Sequence, residues 1–255
     1  MVAKAVLTFF IFILFAPLLI AQQDSLHPVC KLLKLNSKWD FGAGARFSFL
    51  DFDELNRSLE AAGLPGLESP LSCLDVGIRT THSWERIVAE TGFKYSFGSS
   101  EKENLGNRQS VTFRDYALQS RFLFDVFGCK NHMRKIFPYM GLGVSYQTLN
   151  TYSSTSSDFG NSSASLALGY QRYTYVPFSF ETGVSLEQGF KMFGKNIFLG
   201  FRSGYAFRFF QTKWSSLEDN YAVNLPKPAA SAPFVALIVR VKSRPKMVCQ
   251  VPCGN

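Results

Sequence analysis

Residues 196–210 read NIFLGFRSGYAFRFF, in which large apolar side chains alternate with a second set made mostly of small residues and arginines. Successive side chains of a β-strand point to opposite faces, so this stretch has one apolar face and one small, charged face. A strand in water needs a further layer over the apolar face, whereas a barrel strand in a bilayer turns that face to lipid. The stretch therefore predicts a membrane-spanning strand with Arg202 and Arg208 in the lumen of a barrel.

The composition of the whole chain favours strands and argues against a nucleic-acid partner. The 255 residues include 26 Phe and 10 Tyr, and aromatic residues are enriched in strands. The formal net charge of +8 is typical of proteins that bind nucleic acids when the basic residues form a patch. Here the basic residues are scattered singly along the alternating segments, so we expect them to line the lumen and the loops.

Alternation of the same kind recurs along residues 37–242 and divides them into about eight segments. The connections between the segments are alternately long and short, as in bacterial outer-membrane barrels with long extracellular loops and short periplasmic turns. We therefore predict an all-β fold, a transmembrane antiparallel up-and-down β-barrel of eight strands. The number rises to ten if Ser165–Tyr175 forms an extra strand.

The first long connection carries the signature of a helix. Leu55, Leu59 and Ala62 recur at helical spacing, and Gly63 follows as a stop signal. We therefore expect a short helix within this loop.

Two other polar stretches are predicted to be loops, namely Gly98–Arg108 and the Ser/Thr/Asn-rich Asn150–Ser165. Between them, the alternation of the fourth segment breaks near Arg114 and Asp115. An extra residue in one strand of an antiparallel pair produces such a break, so we expect a β-bulge there.

Both ends of the chain lie outside the predicted barrel. Lys4, the apolar run that follows it and Ala21 describe a secretory signal peptide at residues 1–21. The run is shorter than the ~20 residues that a spanning helix needs. We expect residues 22–36 to be a periplasmic N-terminal segment, residues 37–242 the outer-membrane barrel and residues 243–255 a periplasmic C-terminal tail.

Export makes the five cysteines candidates for disulfides, because an oxidising compartment permits them. An odd number leaves at least one cysteine free or paired between chains. Cys249 and Cys253 are separated by three residues, which is not C-x-x-C, and no histidine is near. A disulfide that joins the tail to Cys30, or Cys249 to Cys253, is therefore favoured over a metal or redox site.

The inward positions of the eight segments carry charges of both signs. In an eight-stranded barrel the interior is just wide enough for side chains, and breaking a buried ion pair costs about 3–5 kcal/mol. We therefore expect a lumen plugged by paired charges, with Glu181 and Glu187 as partners of Arg202 and Arg208. The predicted network consists of Arg46, Asp75, Arg79, Glu90, Arg121, Glu181, Glu187, Arg202, Arg208 and Arg240. Further inward charges are Asp40, Arg86, Lys94, Asp115, Asp125 and Lys242.

The segment FDELNRSLEAAGLPGL, residues 52–67, is similar to one that follows the first strand in many outer-membrane barrels. With the signal peptide, the strands rich in glycine and aromatic residues and the alternating loops, the chain resembles the small outer-membrane β-barrel proteins of the OmpA/OmpX type. The resemblance implies a location in the bacterial outer membrane. We accordingly expect a monomer that contacts outer-membrane lipid and is inserted by the barrel assembly machinery.

For function we expect a structural role, or the binding of an extracellular ligand or surface partner through the loops, chiefly Asp51–Pro70 and Asn150–Tyr175. Two alternatives remain. One is a narrow porin-like solute channel. The other is a secreted, soluble, lipocalin-like barrel that carries an apolar ligand and whose Phe/Leu/Val face therefore points inward.

Enzymatic activity is not expected, although some barrels that modify lipid A use a Ser and a His at the rim. Adjacent strand residues point to opposite faces, so His82 and Ser83 cannot easily form a nucleophile–base pair. Asp51, Asp53 and Glu54 could bind a cation, but carboxylates also favour the N-terminus of a helix. We expect no cofactor and no metal site.

Overall fold

The computed structural model describes residues 38–81, 87–104, 107–127, 133–154, 169–192, 195–209, 213–217 and 222–242. The predicted signal peptide, both periplasmic segments and Cys30, Cys249 and Cys253 lie outside these ranges. Arg86, His82 and Ser83 lie outside them too.

Eight long strands form a single closed sheet. These barrel strands are β1 (Lys38–Ser48), β2 (Leu71–Thr81), β3 (Ile87–Asn104), β4 (Asn107–Phe124), β5 (Arg134–Ser153), β7 (Phe178–Met192), β8 (Lys195–Phe209) and β11 (Ser231–Lys242). The shorter elements are α1 (Asp53–Ala61), β6 (Gly169–Tyr175), β9 (Trp214–Ser216) and β10 (Ala222–Val223). Each barrel strand pairs antiparallel with the next, and β1 pairs with β11, which closes the barrel. The predicted eight-stranded antiparallel barrel is confirmed.

The described part of the stretch that could have added strands, Gly169–Tyr175, belongs to the sixth barrel strand. Both β6 and β7 pair with β5, with Tyr175 opposite Gln147 and Phe178 opposite Val144. Pro177, which lies between them, has no N–H to donate to the ladder. The ladder is therefore interrupted at Pro177 and resumes on the same partner, so the barrel has eight strands and the ten-stranded alternative is wrong.

Three predictions for this region are wrong. Gly98–Arg108 is almost entirely strand. Strands β3 and β4 pair without interruption, from Ile87 opposite Phe124 to Asn104 opposite Asn107. The same unbroken register excludes the bulge expected at Arg114 and Asp115. Residues 150–153, also predicted to be loop, belong to β5.

The broken alternation near Arg114 instead marks a level at which the two faces of β4 exchange polarity. On one side of this level Asp115 and Arg121 are buried inside the barrel and Phe122 is exposed outside. On the other side Val111 and Phe113 are fully buried inside. The outward positions there are polar. We call this level the polarity boundary.

The neighbouring strands exchange polarity at the same height. In β5, the apolar Leu149 follows the polar Gln147 on the inward face, and Thr148 between them is paired with Arg114. In β2, Cys73 and Leu71 are buried inward beyond the charged Asp75. The end of the barrel beyond this boundary carries the long connections, and we call it the outer end.

Between the polarity boundary and the other end, the barrel is apolar outside and charged inside. Large apolar side chains that are about half exposed include Phe41, Leu74, Ile78, Phe93, Met140, Leu199, Leu237 and Val239. The buried inward side chains include Asp40, Arg46, Asp75, Arg79, Glu90, Arg121, Glu181, Glu187, Arg202 and Arg240. This is the reverse of the lipocalin-like arrangement, so that alternative is wrong in the orientation of its faces.

An apolar cluster that includes α1 occupies the mouth of the barrel at the outer end, and we call it the apolar cap. Its members are Leu50, Phe52, Leu55, Leu59, Ala62, Leu64, Leu67, Leu71, Cys73, Val111, Phe113, Leu149, Tyr173, Tyr175, Trp214, Val223, Leu225 and Ala232. Phe52 meets Phe113 edge to face at 5.4 Å, and Tyr175 stacks on Trp214 at 5.0 Å. The predicted loop helix is confirmed, and its apolar face packs into the cap.

The segment after α1 is held against the helix by one side chain. The amide of Asn56 donates to the carbonyl oxygen of Leu67 at 2.9 Å and accepts from the N–H of Leu67 at 2.8 Å. Gly63, with φ of +77°, supplies the left-handed turn that ends the helix. The helix and its return segment therefore form one unit that closes over the barrel.

We predict that Leu59→Ala lowers the free energy of unfolding by about 2–5 kcal/mol, because it leaves a cavity in the apolar cap. The measurement is urea unfolding of the refolded protein, followed by tryptophan fluorescence. Leu237→Ala is the control, since Leu237 is 64% exposed on the outside of the barrel. Equal unfolding midpoints for the two variants would contradict the packing of α1 into the mouth.

Candidate functional site

Glu90 of β3 lies at the centre of the charges inside the barrel. Its carboxylate accepts hydrogen bonds from Arg79 at 3.2 Å, Arg121 at 2.9 Å, Arg202 at 3.1 Å and Arg240 at 2.7 Å. These arginines come from β2, β4, β8 and β11, which lie on both sides of the lumen. One carboxylate therefore connects five strands across the interior.

Two carboxylates of β7 extend the network to the opposite wall. Glu187 binds Arg79 in a bidentate pair, with N–O distances of 2.7 and 3.0 Å. Glu181 accepts from Arg46 at 2.8 Å and from the hydroxyl of Tyr139 at 3.0 Å. Both carboxylates are almost fully buried. The charges of β7 thus meet arginines of β1 and β2.

Arg121 contacts three carboxylates and no solvent. Its Nη2 lies 2.9 Å from Asp75, its Nη1 lies 2.9 Å from Glu90 and its Nε lies 3.4 Å from Glu181. The side-chain oxygen of Gln119 also accepts from Nη2. A planar guanidinium with five N–H donors is suited to such multiple contacts.

The partners predicted for the two arginines of β8 are wrong. Among the described residues Arg202 forms ion pairs with Glu90 at 2.9 Å and Asp75 at 3.9 Å, and not with Glu181 or Glu187. In register Arg202 stands opposite Ser185 of β7, so its side chain extends across the lumen instead of along the wall.

Arg208 takes no carboxylate partner of β7 either. It stands opposite Ser179 and donates from Nη1 to the carbonyl oxygen of Ala229 at 2.8 Å. It therefore lies towards the apolar cap, outside the Glu90 network.

Aromatic rings cover several of the buried guanidinium groups. Phe234 lies 3.5 Å from Arg46, Phe137 lies 4.6 Å from Arg79 and Tyr139 lies 5.2 Å from Arg202, measured from ring centroid to Cζ. Desolvated cation–π contacts of this kind contribute about 2 kcal/mol each. The sequence prediction omitted these rings. Tyr139 could have been predicted to point inward, because it alternates in step with the inward Gly141 and Gly143.

Among the described residues, the buried charges of the lumen are equal in number once Asp125, which pairs with Lys135, is set apart. Five buried arginines (Arg46, Arg79, Arg121, Arg202 and Arg240) face five buried carboxylates (Asp40, Asp75, Glu90, Glu181 and Glu187). Lys94 and Asp115 form a further pair at 3.2 Å near the polarity boundary. Side chains fill an eight-stranded barrel, so this set occupies the cross-section of the lumen.

A row of polar atoms without hydrogen-bond partners separates the charge network from the apolar cap. Asp115, Gln147 and Tyr175 are neighbours in register on β4, β5 and β6, and all three are buried. Neither carboxylate oxygen of Asp115, neither amide atom of Gln147 and not the hydroxyl of Tyr175 has a hydrogen-bond partner among the described residues. Buried polar atoms of this kind normally bind ordered water.

Within the ranges that the structure describes, no group of His, Cys, Asp or Glu side chains could hold a metal ion. In the same ranges, no helix is long and apolar enough to cross a membrane. Asp51 accepts a hydrogen bond from the N–H of Asp53 at 2.8 Å, at the start of α1. That contact agrees with a role at the helix N-terminus.

Comparison with known proteins finds likeness at the level of fold. No protein-family model and no curated protein matches the sequence. The chain is similar to Ail, the attachment invasion locus protein of Yersinia pestis, with 8% identity, a TM-score of 0.44 and coverage of 81% of this chain and 97% of that chain.

Two further solved structures are similar to the chain. A major outer membrane protein from Thermus thermophilus is 12% identical, with a TM-score of 0.49 and coverage of 82% of this chain and 100% of that chain. Neisserial surface protein A is 14% identical, with a TM-score of 0.35 and coverage of 80% and 97%. Identities this low indicate at most a likeness of fold.

We predict that Glu90→Gln lowers the free energy of unfolding by about 3–5 kcal/mol, because four buried arginines lose a shared carboxylate. Urea unfolding in detergent or lipid vesicles, read by heat-modified gel migration, measures the change. The control is Glu101→Gln, which removes an exposed pair with Arg108 and is expected to cost less than about 1 kcal/mol. A Glu90→Gln barrel as stable as the control contradicts the central position of Glu90.

Proposed function

We propose that the protein is an outer-membrane β-barrel with a sealed interior and a structural or surface-binding role carried by its outer end. The observation that carries the proposal is the arrangement of the barrel, which is apolar outside, ion-paired inside and covered by an apolar cap. A sealed interior leaves the outer end and the outside wall as the surfaces that can meet a partner.

The outside of the barrel supports a lipid environment. Exposed apolar surface costs about 25 cal/mol per Å² in water, and a continuous belt of Phe, Leu, Val and Met surrounds the barrel below the polarity boundary. Beyond the boundary the outward positions become polar and the inward positions apolar, as expected for a strand that leaves lipid and enters water. The boundary therefore corresponds to the outer membrane–water interface.

The sealed interior rests on two successive layers. The charge network around Glu90 occupies the membrane-embedded part, and α1 with the rest of the apolar cap occupies the mouth. A solute would have to break several buried ion pairs and displace a packed helix. We therefore favour a closed barrel over a porin-like channel.

The outer end offers surface for a partner. Residues 98–104, 107–114, 148–153 and 169–174 of β3, β4, β5 and β6 extend beyond the boundary, and we call them the projecting wall. The seven residues after Phe97 alone add roughly 23 Å of strand at about 3.3 Å per residue. The predicted binding stretch Asp51–Pro70 and the described parts of Asn150–Tyr175 lie at this end.

The remaining properties are part of the same proposal. We infer a non-enzymatic monomer without a cofactor, inserted by the barrel assembly machinery. In support, the carboxylates of Glu90, Glu181 and Glu187 are all bound by buried arginines, which leaves none of the three free to act as a general base.

A narrow channel is the second candidate, because one observation favours it. Buried polar atoms without hydrogen-bond partners among the described residues occur at Gln147 and Tyr175 and also within the charge network, at Arg202 and Arg240. Ordered water beside these atoms is compatible with a thin path for small ions or water.

Conductance distinguishes the two candidates. The refolded protein, its folding verified by heat-modified gel migration, is inserted into a planar lipid bilayer under voltage. We expect a silent bilayer, because two packed layers block the lumen. Reproducible current steps would overturn the sealed barrel and support the narrow channel.

The lipid environment is tested by placing a charge on the outside wall. Leu237→Arg is expected to destabilise the barrel in vesicles by up to about 2–4 kcal/mol, the cost of an arginine near the bilayer midplane. Ser99→Arg, at an exposed position of the projecting wall, should have almost no effect. A similar small effect of both substitutions, or recovery of the native protein in the soluble fraction without detergent, would contradict a membrane location.

A further inference from the structure

A polar cavity of about 330 Å³ opens on the outside of the projecting wall. Among the residues that line it are Arg108, Ser110 and Thr112 of β4, Asn150 and Tyr152 of β5 and Tyr170 of β6. The β4 and β5 positions alternate with Val111 and Leu149, which belong to the apolar cap. The cavity therefore faces away from the lumen, and its volume lies in the range of about 300–1,000 Å³ that is usual for ligand pockets.

Two exposed tyrosines border this cavity. Tyr152 and Tyr170 stand directly opposite each other on β5 and β6, and they are 38% and 47% exposed. The Cβ atoms of residues in such a pair lie about 4.5–5.5 Å apart, so both rings belong to the same patch of surface. A tyrosine ring presents a flat apolar surface with a polar hydroxyl at one end.

The two tyrosines lie higher than the aromatic girdle that barrels place at the membrane interface. Ser110 stands opposite Tyr152 and lies four positions beyond Arg114, the residue at the polarity boundary. Four residues span about 13 Å of strand, which for a tilt of about 40° is roughly 10 Å above the boundary. With the boundary at the membrane surface, as proposed above, the headgroup layer is only about 5–8 Å deep. Contact with lipid headgroups therefore does not account for these rings.

The ring of Tyr170 is held in place by its neighbours. Arg172 donates from Nη2 to the hydroxyl of Tyr170 at 3.3 Å, and its guanidinium carbon lies 5.7 Å from the centroid of the ring. The same arginine donates from Nε to the side-chain oxygen of Asn150 at 3.2 Å, and Asn150 is buried. An aromatic surface that is positioned before a ligand arrives reduces the entropy lost on binding.

The polar side chains beside the rings are mainly neutral. Ser110 and Thr112 contribute hydroxyl groups and Asn150 contributes an amide, and both kinds of group can donate and accept hydrogen bonds. Arg108 is the one charged residue among those that line the cavity, and it forms an ion pair with Glu101. An anion would compete with Glu101 for Arg108, so this set of groups favours a neutral ligand with several hydroxyl groups.

A sugar ring has both kinds of surface that the cavity complements. One face of a pyranose consists largely of C–H groups, which pack against aromatic rings, and its rim carries hydroxyl groups, which donate and accept hydrogen bonds. We propose that Tyr152 and Tyr170, with the polar groups of the cavity, bind a neutral saccharide on the outer face of the projecting wall. The inference rests on the proposed surface-binding role of the outer end and specifies the class of its ligand.

The test measures saturation transfer from the refolded full-length protein to soluble disaccharides by ligand-observed NMR. The micelles consist of a detergent without a sugar headgroup, and the disaccharides are maltose, cellobiose, lactose and N,N′-diacetylchitobiose. We expect at least one of them to bind with a Kd on the order of 1 mM. Its affinity should stay within about twofold when sodium chloride is raised to about 0.5 M, because no charge on the ligand is screened.

Variants identify the surface that binds the sugar. Tyr152→Ala/Tyr170→Ala should weaken binding at least about tenfold, equivalent to 1.4 kcal/mol, because it removes both rings. Tyr152→Phe/Tyr170→Phe keeps the rings and should bind within about threefold of the native protein. Tyr146→Ala/Tyr205→Ala, which removes two exposed tyrosines elsewhere on the outside of the barrel, is the matched control and should bind within about twofold.

Three outcomes overturn the inference: binding of none of the four disaccharides, equal weakening in the two alanine double variants, or loss of binding in high salt. Heat-modified migration shows whether the barrel of each variant is closed, and the phenylalanine variant separates loss of the rings from damage to the wall. If the native protein fractionates with membranes and is silent in the planar bilayer but binds no sugar, only the saccharide site fails. If it is soluble without detergent, or if it conducts, the proposed function fails instead.

Discussion

The contacts of Glu90 with arginines from four other strands are the interaction on which the barrel below the polarity boundary depends. When the outside of a barrel meets lipid, burying apolar residues inside it gains no free energy. Another interaction must then fix the register of the strands. Ion pairs across the lumen supply it, because each satisfied charge requires particular strands at particular heights. Such pairs add little net stability over an apolar core. A wrong register, however, leaves a buried charge unpaired, which costs about 3–5 kcal/mol.

A few residues further along β4 and β5 the packing requirement is reversed, and apolar side chains point inward. Beyond the polarity boundary the outside is water, and the inward positions become Val111, Phe113, Leu149 and Tyr173. These residues need an apolar partner within the mouth, and α1 provides it with Leu55 and Leu59. The apolar cap is therefore an ordinary hydrophobic core built on top of an ion-paired interior. The two layers meet at Asp115, Gln147 and Tyr175, where neither kind of packing satisfies every polar atom.

Much of this architecture could be predicted from the sequence, because side-chain alternation states which face each residue occupies. It placed Arg202 and Glu90 inward and Leu237 outward, and the leucine spacing predicted α1. The partners of Arg202 could not be predicted, since contacts across a lumen depend on the relative heights of strands that are not neighbours. Residues 98–108 and 150–153 of the projecting wall were taken for loop because strands with water on one side and a small core on the other contain many polar residues. The break at Arg114 was taken for a bulge because a change of surroundings and an inserted residue disturb alternation in the same way.

The position of that change of surroundings constrains where a function can reside. Below the boundary the charges around Glu90 are engaged across the lumen, and the outward face is apolar. Above it, the inner face of the wall is occupied by the cap, so only the outer face and the rim remain open. A barrel that needed only to span a membrane could end at the boundary, as β1 and β2 nearly do, whereas β3, β4, β5 and β6 continue beyond it. The extra strand length adds an open outer face and a rim, which is why we place binding there and not in the lumen.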